Sequence, residues 1–150
     1  MPDKDIRAGG ANQPVPRFDN PSFNPLKQPL AESRVAIVTT AALRTVDQPK
    51  WTGGDQSFRV LGASTEGLVL GHISPNFDRS GFINDPNVVF PVDRLREMES
   101  EGKIGSLAST NIAFLGAQDE TMTTIRLDSG PAAAKLLKED AVDVVLLTPV

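Results

Sequence analysis

The stretch that decides the fold lies at the end of the chain and reads Ala141-Val142-Asp143-Val144-Val145-Leu146-Leu147-Thr148-Pro149-Val150. A short, nearly continuous apolar run that directly follows a helical pattern is typical of a parallel strand buried on both faces. In open α/β sheets, ligands bind outside the carboxyl ends of such strands. We therefore expect the chemistry at and beyond the carboxyl end of this strand, and a domain that is incomplete after Val150.

A second apolar run, Arg34-Val35-Ala36-Ile37-Val38-Thr39-Thr40, predicts another strand that is buried on both faces. Shorter strands are predicted at 58–61, 68–70 and 111–115, the last of which ends at Gly116. A short turn of helix is predicted at 41–43 and a long loop at 72–87.

Two segments have the start and stop signals of helices. Residues 91–102 begin with Pro91, which suits a first turn, and end at Gly102, a common stop residue. The second helix follows Asp128-Ser129-Gly130-Pro131, which combines capping residues with a proline for the first turn. Because strands alternate with helices and the two best strands are uniformly apolar, the sequence predicts an α/β fold: a three-layer sandwich with a mostly parallel sheet.

Residues 1–30 have a different composition and are predicted to form an arm that is largely irregular. Proline at this density forbids regular structure, and the prolines are Pro2, Pro14, Pro16, Pro21, Pro25 and Pro29. Phe18, Phe23 and Leu26 are candidate anchors, so we expect partial order from about Phe18 onward. The α/β domain is expected to occupy residues 31–150.

The composition excludes several classes of function. With 15 Lys and Arg against 19 Asp and Glu the net charge is −4, and no basic run stands out, so we expect neither nucleic acid nor a membrane surface as a partner. No apolar run reaches the roughly 18 residues of a membrane helix, and no signal pattern is present, so we expect a cytoplasmic protein.

With no cysteine and one histidine, this chain offers no disulfide, cysteine nucleophile or multi-histidine metal site, and we expect it to bind no metal and no cofactor of its own. The loop glycines Gly53, Gly54 and Gly62 match no phosphate-binding motif.

His72, the single histidine, is the first candidate site residue, because it precedes a polar loop that carries Asp78 and Arg79. With Asp78 it could form an imidazole–carboxylate pair, and the guanidinium of Arg79 could bind a substrate carboxylate. The alternative is that His72 is structural and that Asp78 and Arg79 cap the loop and pair with each other.

Three threonines are the other candidates, since they lie at the carboxyl ends of the two best strands. They are Thr39 and Thr40 on the first strand and Thr148 on the last. Their hydroxyl groups could bind a small anion or carboxylate, and they are equally suited to turns and helix caps.

Several stretches taken together resemble one known family. They are Arg34–Ala41, Asp47–Pro49, Gly54-Asp55 with Ser57–Arg59, His72 with Phe77–Arg79, Asn87–Pro91 followed by Asp93–Glu97, Glu101-Gly102 with Ile104–Ser106, and Val142–Val150. From about residue 25 to its end, the chain is similar to the selenoprotein B subunits of the glycine/sarcosine/betaine/D-proline reductases, in their short stand-alone form.

The resemblance implies a reductase that acts on a C–N bond of a glycine-, sarcosine-, betaine- or proline-type substrate. Its nucleophile would be a selenocysteine or cysteine directly after the strand that ends at Val150, where a sharp turn exposes an ionised selenolate. The resemblance also implies a partner subunit that activates the amine on a pyruvoyl group, and a thioredoxin-like dithiol that resets the redox pair. It would place His72, Asp78 and Arg79 at the mouth of the site, with Thr39, Thr40 and Thr148 at the strand ends.

The sequence departs from this family at two places. No redox residue follows Val150 here, which we explain by an in-frame UGA codon for selenocysteine that was read as a stop. Relatives often carry a second histidine at the place of Ser74.

An uncovered strand would also expose apolar surface, so we expect an oligomer. The alternative function is a non-catalytic α/β module that binds a small carboxylate or a partner protein.

Overall fold

The fold was obtained as a computed structural model, which describes residue 19 and residues 24–75, 77–118 and 121–150. Most of the predicted arm, including Phe18 and Phe23, lies outside the described residues. Leu26, the third candidate anchor, is 53% exposed.

The described chain contains seven strands and three α-helices. The strands are β1 (Arg34–Thr39), β2 (Leu43–Thr45), β3 (Arg59–Leu61), β4 (Leu68–Leu70), β5 (Ser106–Leu107), β6 (Asn111–Ala113) and β7 (Val144–Thr148). The helices are α1 (Ser80–Asn84), α2 (Val92–Ser100) and α3 (Gly130–Glu139), with 3₁₀ turns at Leu30–Glu32 and Pro86–Val88 and a π-helical turn at Ile125–Ser129.

Strand β1 lies at the centre of the main sheet. Val35 pairs with both β5 and β7, and Val38 pairs with both β6 and β7, all in parallel. Since a strand has two edges, β5 and β6 share one edge of β1 and β7 occupies the other. Strand β3 adds to β6 in the antiparallel sense, and β2 pairs with β4 in a separate antiparallel hairpin.

Helices cover both faces of this sheet, which confirms the predicted α/β sandwich with a mostly parallel sheet. Val35 and Ile37 of β1 pack in one buried cluster with Val92 and Leu95 of α2. Ala36, which points to the opposite face, packs in a second cluster with residues of α3, chiefly Ala133 and Leu137.

Both long helices begin and end close to the predicted residues, although the caps differ. Pro91 is the residue before α2. Helix α3 begins at Gly130 without a side-chain cap, because it continues directly from the π-helical turn that ends at Ser129, whose hydroxyl donates to the Gln56 carbonyl at 2.6 Å. Both helices stop in the same motif, in which the second residue after the helix has a positive φ: +69° at Gly102 after α2 and +53° at Ala141 after α3.

The last strand is not buried on both faces, as its apolar run predicted, and it exposes apolar surface, as expected of an uncovered strand. Strand β7 pairs with β1 over five residues, but among the described residues no strand pairs with its other edge. Val145 and Leu146 are each 38% exposed and Leu147 is 67% exposed. In the described part of the chain, the apolar run therefore forms an exposed edge strand.

Two local predictions are also wrong. Residues 41–43 do not form a helical turn: Ala41 pairs with Leu115, and β2 begins at Leu43. The predicted loop at 72–87 contains helix α1 and part of the 3₁₀ turn at Pro86–Val88, so it is less irregular than its composition indicated.

No helix in the described part of the chain is long and apolar enough to cross a lipid bilayer.

Candidate functional site

The carboxyl ends of three parallel strands meet two loops at one end of the sheet. Beyond the ends of β1 and β6, Ala41 pairs with Leu115. This pairing brings Gly116, the residue after Leu115, beside the end of β1. The amide of Gly71 donates to the carbonyl of Ala42 at 2.9 Å, which brings His72 to the same place. These elements enclose a surface pocket of about 290 Å³, which is lined by His72, Ser74, Phe77, Gly116, Ala117 and Val150.

His72 is held rigidly in the wall of this pocket. The residue is 7% exposed, and its ring stacks on Phe77 with centroids 4.4 Å apart and planes inclined by 21°. The backbone N–H of Ser74 donates to Nδ1 at 3.3 Å. Burial and the charge of the nearby Arg79 guanidinium lower the pKa of His72 from its ordinary value of 6.5. The ring is therefore neutral at neutral pH, and its proton lies on Nε2, because Nδ1 accepts the Ser74 hydrogen bond.

The Nε2 atom of His72 is buried and has no hydrogen-bond partner among the described residues. It faces Gly116, and a Cβ placed on Gly116 would lie 3.2 Å from Nε2. The same Cβ would lie 2.6 Å from the carbonyl oxygen of Val150 and 3.0 Å from that of Thr40. A Cβ at position 116 would thus clash with backbone oxygen atoms, so glycine permits the close approach of the segments that contain Thr40, His72 and Val150.

The predicted pair of His72 and Asp78 does not form in the structure. Asp78 instead accepts hydrogen bonds at one carboxylate oxygen from the N–H of Ser80 at 2.8 Å and from its hydroxyl at 2.7 Å. These bonds lower the pKa of the Asp78 carboxyl below its ordinary value. The carboxylate therefore forms a local turn with Ser80, the first residue of α1, as expected if Asp78 satisfies its own loop rather than His72.

Arg79 uses its guanidinium on the backbone of its own loop. Its N–H groups donate to the carbonyls of Phe77 at 3.1 Å, His72 at 2.7 Å and Ser74 at 3.1 Å. It therefore positions the His72 segment and contributes a positive charge behind the ring, while its fork of donors is already engaged. The expected pairing of Arg79 with Asp78 is not among the ion pairs of the described residues.

The three threonines also bond to the backbone. Thr39 is fully buried, and its hydroxyl donates to the carbonyl of Thr148 at 3.3 Å. The Thr40 hydroxyl accepts from the amide of Val150 at 2.9 Å and lies 3.2 Å from the Val150 carbonyl. The Thr148 hydroxyl donates to the carbonyl of Val89 at 2.9 Å. Their common effect is to fix the end of β7 against β1, and through Val150 they shape the pocket.

A buried polar cluster supports both loops of the pocket. The indole of Trp51 packs directly on Gly71, and the Arg59 guanidinium lies 4.1 Å above the indole ring. Arg59 pairs with Asp55 at 3.0 Å, and the side-chain amide of Gln118 donates to the carbonyl of Asp55 at 2.8 Å. The loop before His72 and the loop after Gly116 are therefore held by one network.

Sequence reasoning identified His72 but missed the contacts that Gly116 and Phe77 make with it in the pocket wall. The position of Gly116 directly after a predicted strand was the available signal, since a glycine there often allows a close approach of backbone or ligand. Within the described ranges, no group of three or more His, Cys, Asp or Glu side chains is arranged to hold a metal ion.

Comparison with known proteins places these observations in a family. The sequence model described as glycine/sarcosine/betaine reductase selenoprotein B matches residues 10–150. The chain is 34% identical over 137 residues to the D-proline reductase subunit gamma of Acetoanaerobium sticklandii, an alignment that covers 89% of this chain and 55% of the relative. It is 30% identical over 141 residues to the sarcosine reductase complex component B subunit beta of Peptoclostridium acidaminophilum, with 90% of this chain and 32% of the relative covered.

A third relative is the glycine reductase complex component B subunit gamma of Carboxydothermus hydrogenoformans, which is 32% identical over 142 residues, with 90% of this chain and 32% of the relative covered. The chain thus spans about half of the first of these relatives and about a third of the other two. No solved structure matches the chain significantly.

Proposed function

The chain belongs to the glycine/sarcosine/betaine reductase selenoprotein B family, and from this membership we propose that it forms part of a reductase that cleaves the C–N bond of a small amino-acid-type substrate. The observation that supports the proposal is the pocket at the carboxyl ends of β1 and β7, which is lined by His72, Phe77 and Val150. This is the edge of an α/β sheet at which ligands bind.

The redox nucleophile of the proposed reaction is a selenocysteine or cysteine that follows Val150 in the complete protein. The contacts of Thr40 support this placement, because they hold Val150 in the wall of the pocket. A selenolate there would displace the amine from the substrate carbon, and a neighbouring thiol would then take the selenium in a selenenyl sulfide as the substrate carbon gains a proton. The net change converts C–N to C–H, and the two electrons come from a dithiol that ends as a disulfide.

The proposed partners follow from the same reaction. A second reductase subunit would activate the amine, and a thioredoxin-like protein would supply the dithiol. The names of the relatives, which are subunits or components of reductases, support a partner subunit. The exposed apolar edge of β7 supports the expectation that this surface is covered in an assembly.

A non-catalytic α/β module that binds a small carboxylate is the second candidate. The absence of cysteine from all 150 residues favours it, and so does the engagement of Asp78 and Arg79 with their own loop.

The deciding experiment begins with the nucleotide sequence beyond the Val150 codon and the mass of the protein from its native host. A UGA or cysteine codon in an open frame permits expression of the longer protein with its partner subunit. In the presence of a dithiol, we expect that protein to release amine from glycine, sarcosine or betaine, or to open the ring of D-proline to a linear amino acid with a primary amine. We expect replacement of the nucleophile by serine to abolish this reaction. A native mass of about 16.1 kDa together with a stop codon other than UGA would refute the reductase and leave the binding module.

A further inference from the structure

Strand β7 has one free edge in the described part of the chain, and its sequence does nothing to protect that edge. Exposed edge strands normally carry lysine, proline or a bulge, because their unpaired N–H and C=O groups bind other strands. The residues of β7, Val144–Thr148, contain no charge and no proline, and their register with β1 is continuous. Since Val144 packs in the cluster with α2, Leu146 lies on that face and Leu147 on the face of α3; they are 38% and 67% exposed.

The opposite edge of the main sheet is protected, and the contrast is instructive. Strand β3 has only three residues, Arg59–Leu61, and the first of them carries a charge. The carbonyl of Val60 already accepts a hydrogen bond from the side-chain amide of Gln48 at 2.8 Å. One edge of the sheet is therefore closed by its own side chains, whereas the edge at β7 is left open.

The backbone of β7 directs the polar groups of two residues toward the free edge. The Thr148 carbonyl accepts from the amide of Thr40 at 3.2 Å, so Thr148 directs its backbone groups toward β1. The direction of these groups alternates from residue to residue along a strand, and Val145 and Leu147 therefore direct theirs away from β1. The free edge thus presents the N–H and C=O groups of Val145 and Leu147.

The residues on either side of these two limit how another strand can pair with them. The amide of Asp143 is bonded to the first carbonyl of β1 at 2.9 Å, and Pro149 has no N–H to donate. Two antiparallel copies satisfy every outward group when Val145 of each lies opposite Leu147 of the other, with the two-fold axis at Leu146. The neighbouring registers place Leu147 opposite Asp143 or Val145 opposite Pro149, neither of which has a free N–H.

The side chains also match in this arrangement. Leu146 meets its own copy on the α2 face, and Val145 meets Leu147 on the α3 face, so apolar groups meet on both faces. Asp143, the nearest charge along the chain, lies opposite Pro149, and the two copies of Asp143 are about 20 Å apart along the strands. That distance exceeds the Debye length of about 8 Å at physiological ionic strength, so these like charges do not oppose the pairing.

We propose that the 150-residue chain forms a two-fold symmetric dimer in which β7 pairs antiparallel with β7 of a second copy. The main sheet then runs from one copy into the other, in the order β3-β6-β1-β7-β7-β1-β6-β3. Residues 1–23 of the same chain are a poorer occupant of this edge, because their longest stretch without proline, 3–13, contains a single large apolar residue, Ile6. The inference does not depend on the proposed reductase function.

Single introduced cysteines read out the register directly, because the chain contains no cysteine of its own. The two copies of residue 146 form a pair with Cα atoms about 4.5 Å apart, within reach of a disulfide. Leu146→Cys should therefore give a covalent dimer on mild oxidation. Val145→Cys and Leu147→Cys should not cross-link alone, because their own copies are about 7–8 Å apart, but should cross-link when the two variants are mixed.

Sedimentation equilibrium of the unmodified chain measures the association itself. We expect a mass of twice 16.1 kDa, which falls toward 16.1 kDa on dilution. Leu147→Lys should convert the protein to the monomer, because it places a charge at the paired edge. Leu127→Lys is the matched control and should remain a dimer: Leu127 is 77% exposed and lies in the π-helical turn that bonds to Gln56, near the opposite edge of the sheet. Urea unfolding checks that both variants are folded.

Three results would overturn the proposal: a monomer at every concentration, a dimer that survives Leu147→Lys, or a Leu146→Cys chain that cross-links no faster than Leu127→Cys. Cross-linking of Val145→Cys or Leu147→Cys alone would overturn the register. The reductase hypothesis is judged separately, by turnover of the longer protein, so a dimer without turnover retains this interface and turnover without a dimer removes it.

Discussion

Asp140 is predicted to stabilise the fold through a set of charged hydrogen bonds that disappears in acid. It lies at the carboxyl end of α3, and one carboxylate oxygen accepts from a guanidinium nitrogen of Arg34 at 2.7 Å. The other accepts from the amide of Thr110 at 2.7 Å and the hydroxyl of Ser109 at 3.0 Å. These bonds join the helix to the start of β1 and to the turn between β5 and β6.

The magnitude follows from the pKa of the Asp140 carboxyl. Partial burial acts to raise this pKa, but the hydrogen bonds from Arg34, Thr110 and Ser109 and the charge of Arg34 together lower it from 3.8 to about 2. A difference of 1.8 between 3.8 and 2 corresponds to at most about 2.4 kcal/mol of folding free energy. Because the side chains of Arg34 and Asp140 retain 27% and 16% exposure, solvent screening reduces the expected value to about 1–2 kcal/mol.

The direction of the pKa shift determines the pH range in which Asp140 stabilises the fold. The unfolded chain binds a proton at Asp140 near pH 3.8, whereas the folded protein does so only near pH 2, so the stabilisation is complete above 3.8 and is lost as the pH falls toward 2. Urea unfolding of Asp140→Asn should therefore show a loss of about 1–2 kcal/mol at pH 7 and about half of that loss at pH 3.

Glu139→Gln is the matched control. Glu139 lies next to Asp140 in sequence, but its carboxylate is 3.8 Å from Lys135 and both side chains are more than half exposed, at 58% and 77%. Its loss should stay within about 0.5 kcal/mol. The reasoning is refuted if Asp140→Asn unfolds like the unmodified protein at pH 7, or if its deficit is the same at pH 3 as at pH 7.

Three further substitutions test other parts of the structure by thermal and urea unfolding. Gly116→Ala should lower the free energy of unfolding by about 1–3 kcal/mol, because its Cβ meets backbone oxygen atoms. Gly62→Ala should leave that free energy unchanged, because a Cβ there has no neighbour within 4 Å. Equal effects of the two substitutions would contradict the close approach at Gly116. Ala141→Gly should raise the free energy of unfolding by about 0.5–1 kcal/mol, because φ at this position is +53°. Gly102→Ala should lower it by a similar amount, because φ at Gly102 is +69° in the same motif. Effects of the opposite sign would exclude backbone strain as the cause. Thr40→Val should lose about 1 kcal/mol and accelerate amide exchange at the end of β7, and unchanged exchange would show that its hydroxyl bonds are not formed in solution.

The fold was predictable from the sequence because its signals are local. Val35 packs on one face of β1 and Ala36 on the other. An apolar strand in a sequence that also contains two helical patterns is enough to predict this arrangement. The exposure of Leu147 was not predictable in this way, since an apolar run has the same appearance at the edge of a sheet as at its centre. Whether a strand is paired along both of its edges depends on parts of the chain that are distant in sequence.

The site was predictable only in part, for a related reason. His72 was found because a lone histidine before a polar loop is a local feature. Its expected partner was wrong, because Asp78 satisfied its carboxylate on Ser80, two residues away, before any longer contact was needed. The role of Gly116 depends on backbone oxygens from Thr40 and Val150, which come from distant parts of the chain.

The two walls of the pocket differ in how firmly they are held. The ring of His72 is fixed by its stacking on Phe77 and by the three bonds of Arg79 to the surrounding carbonyls. Val150 is fixed by the hydroxyl of Thr40, at the end of an edge strand. Since each such bond contributes only about 1 kcal/mol, a disturbance of β7 should displace Val150 before it displaces His72.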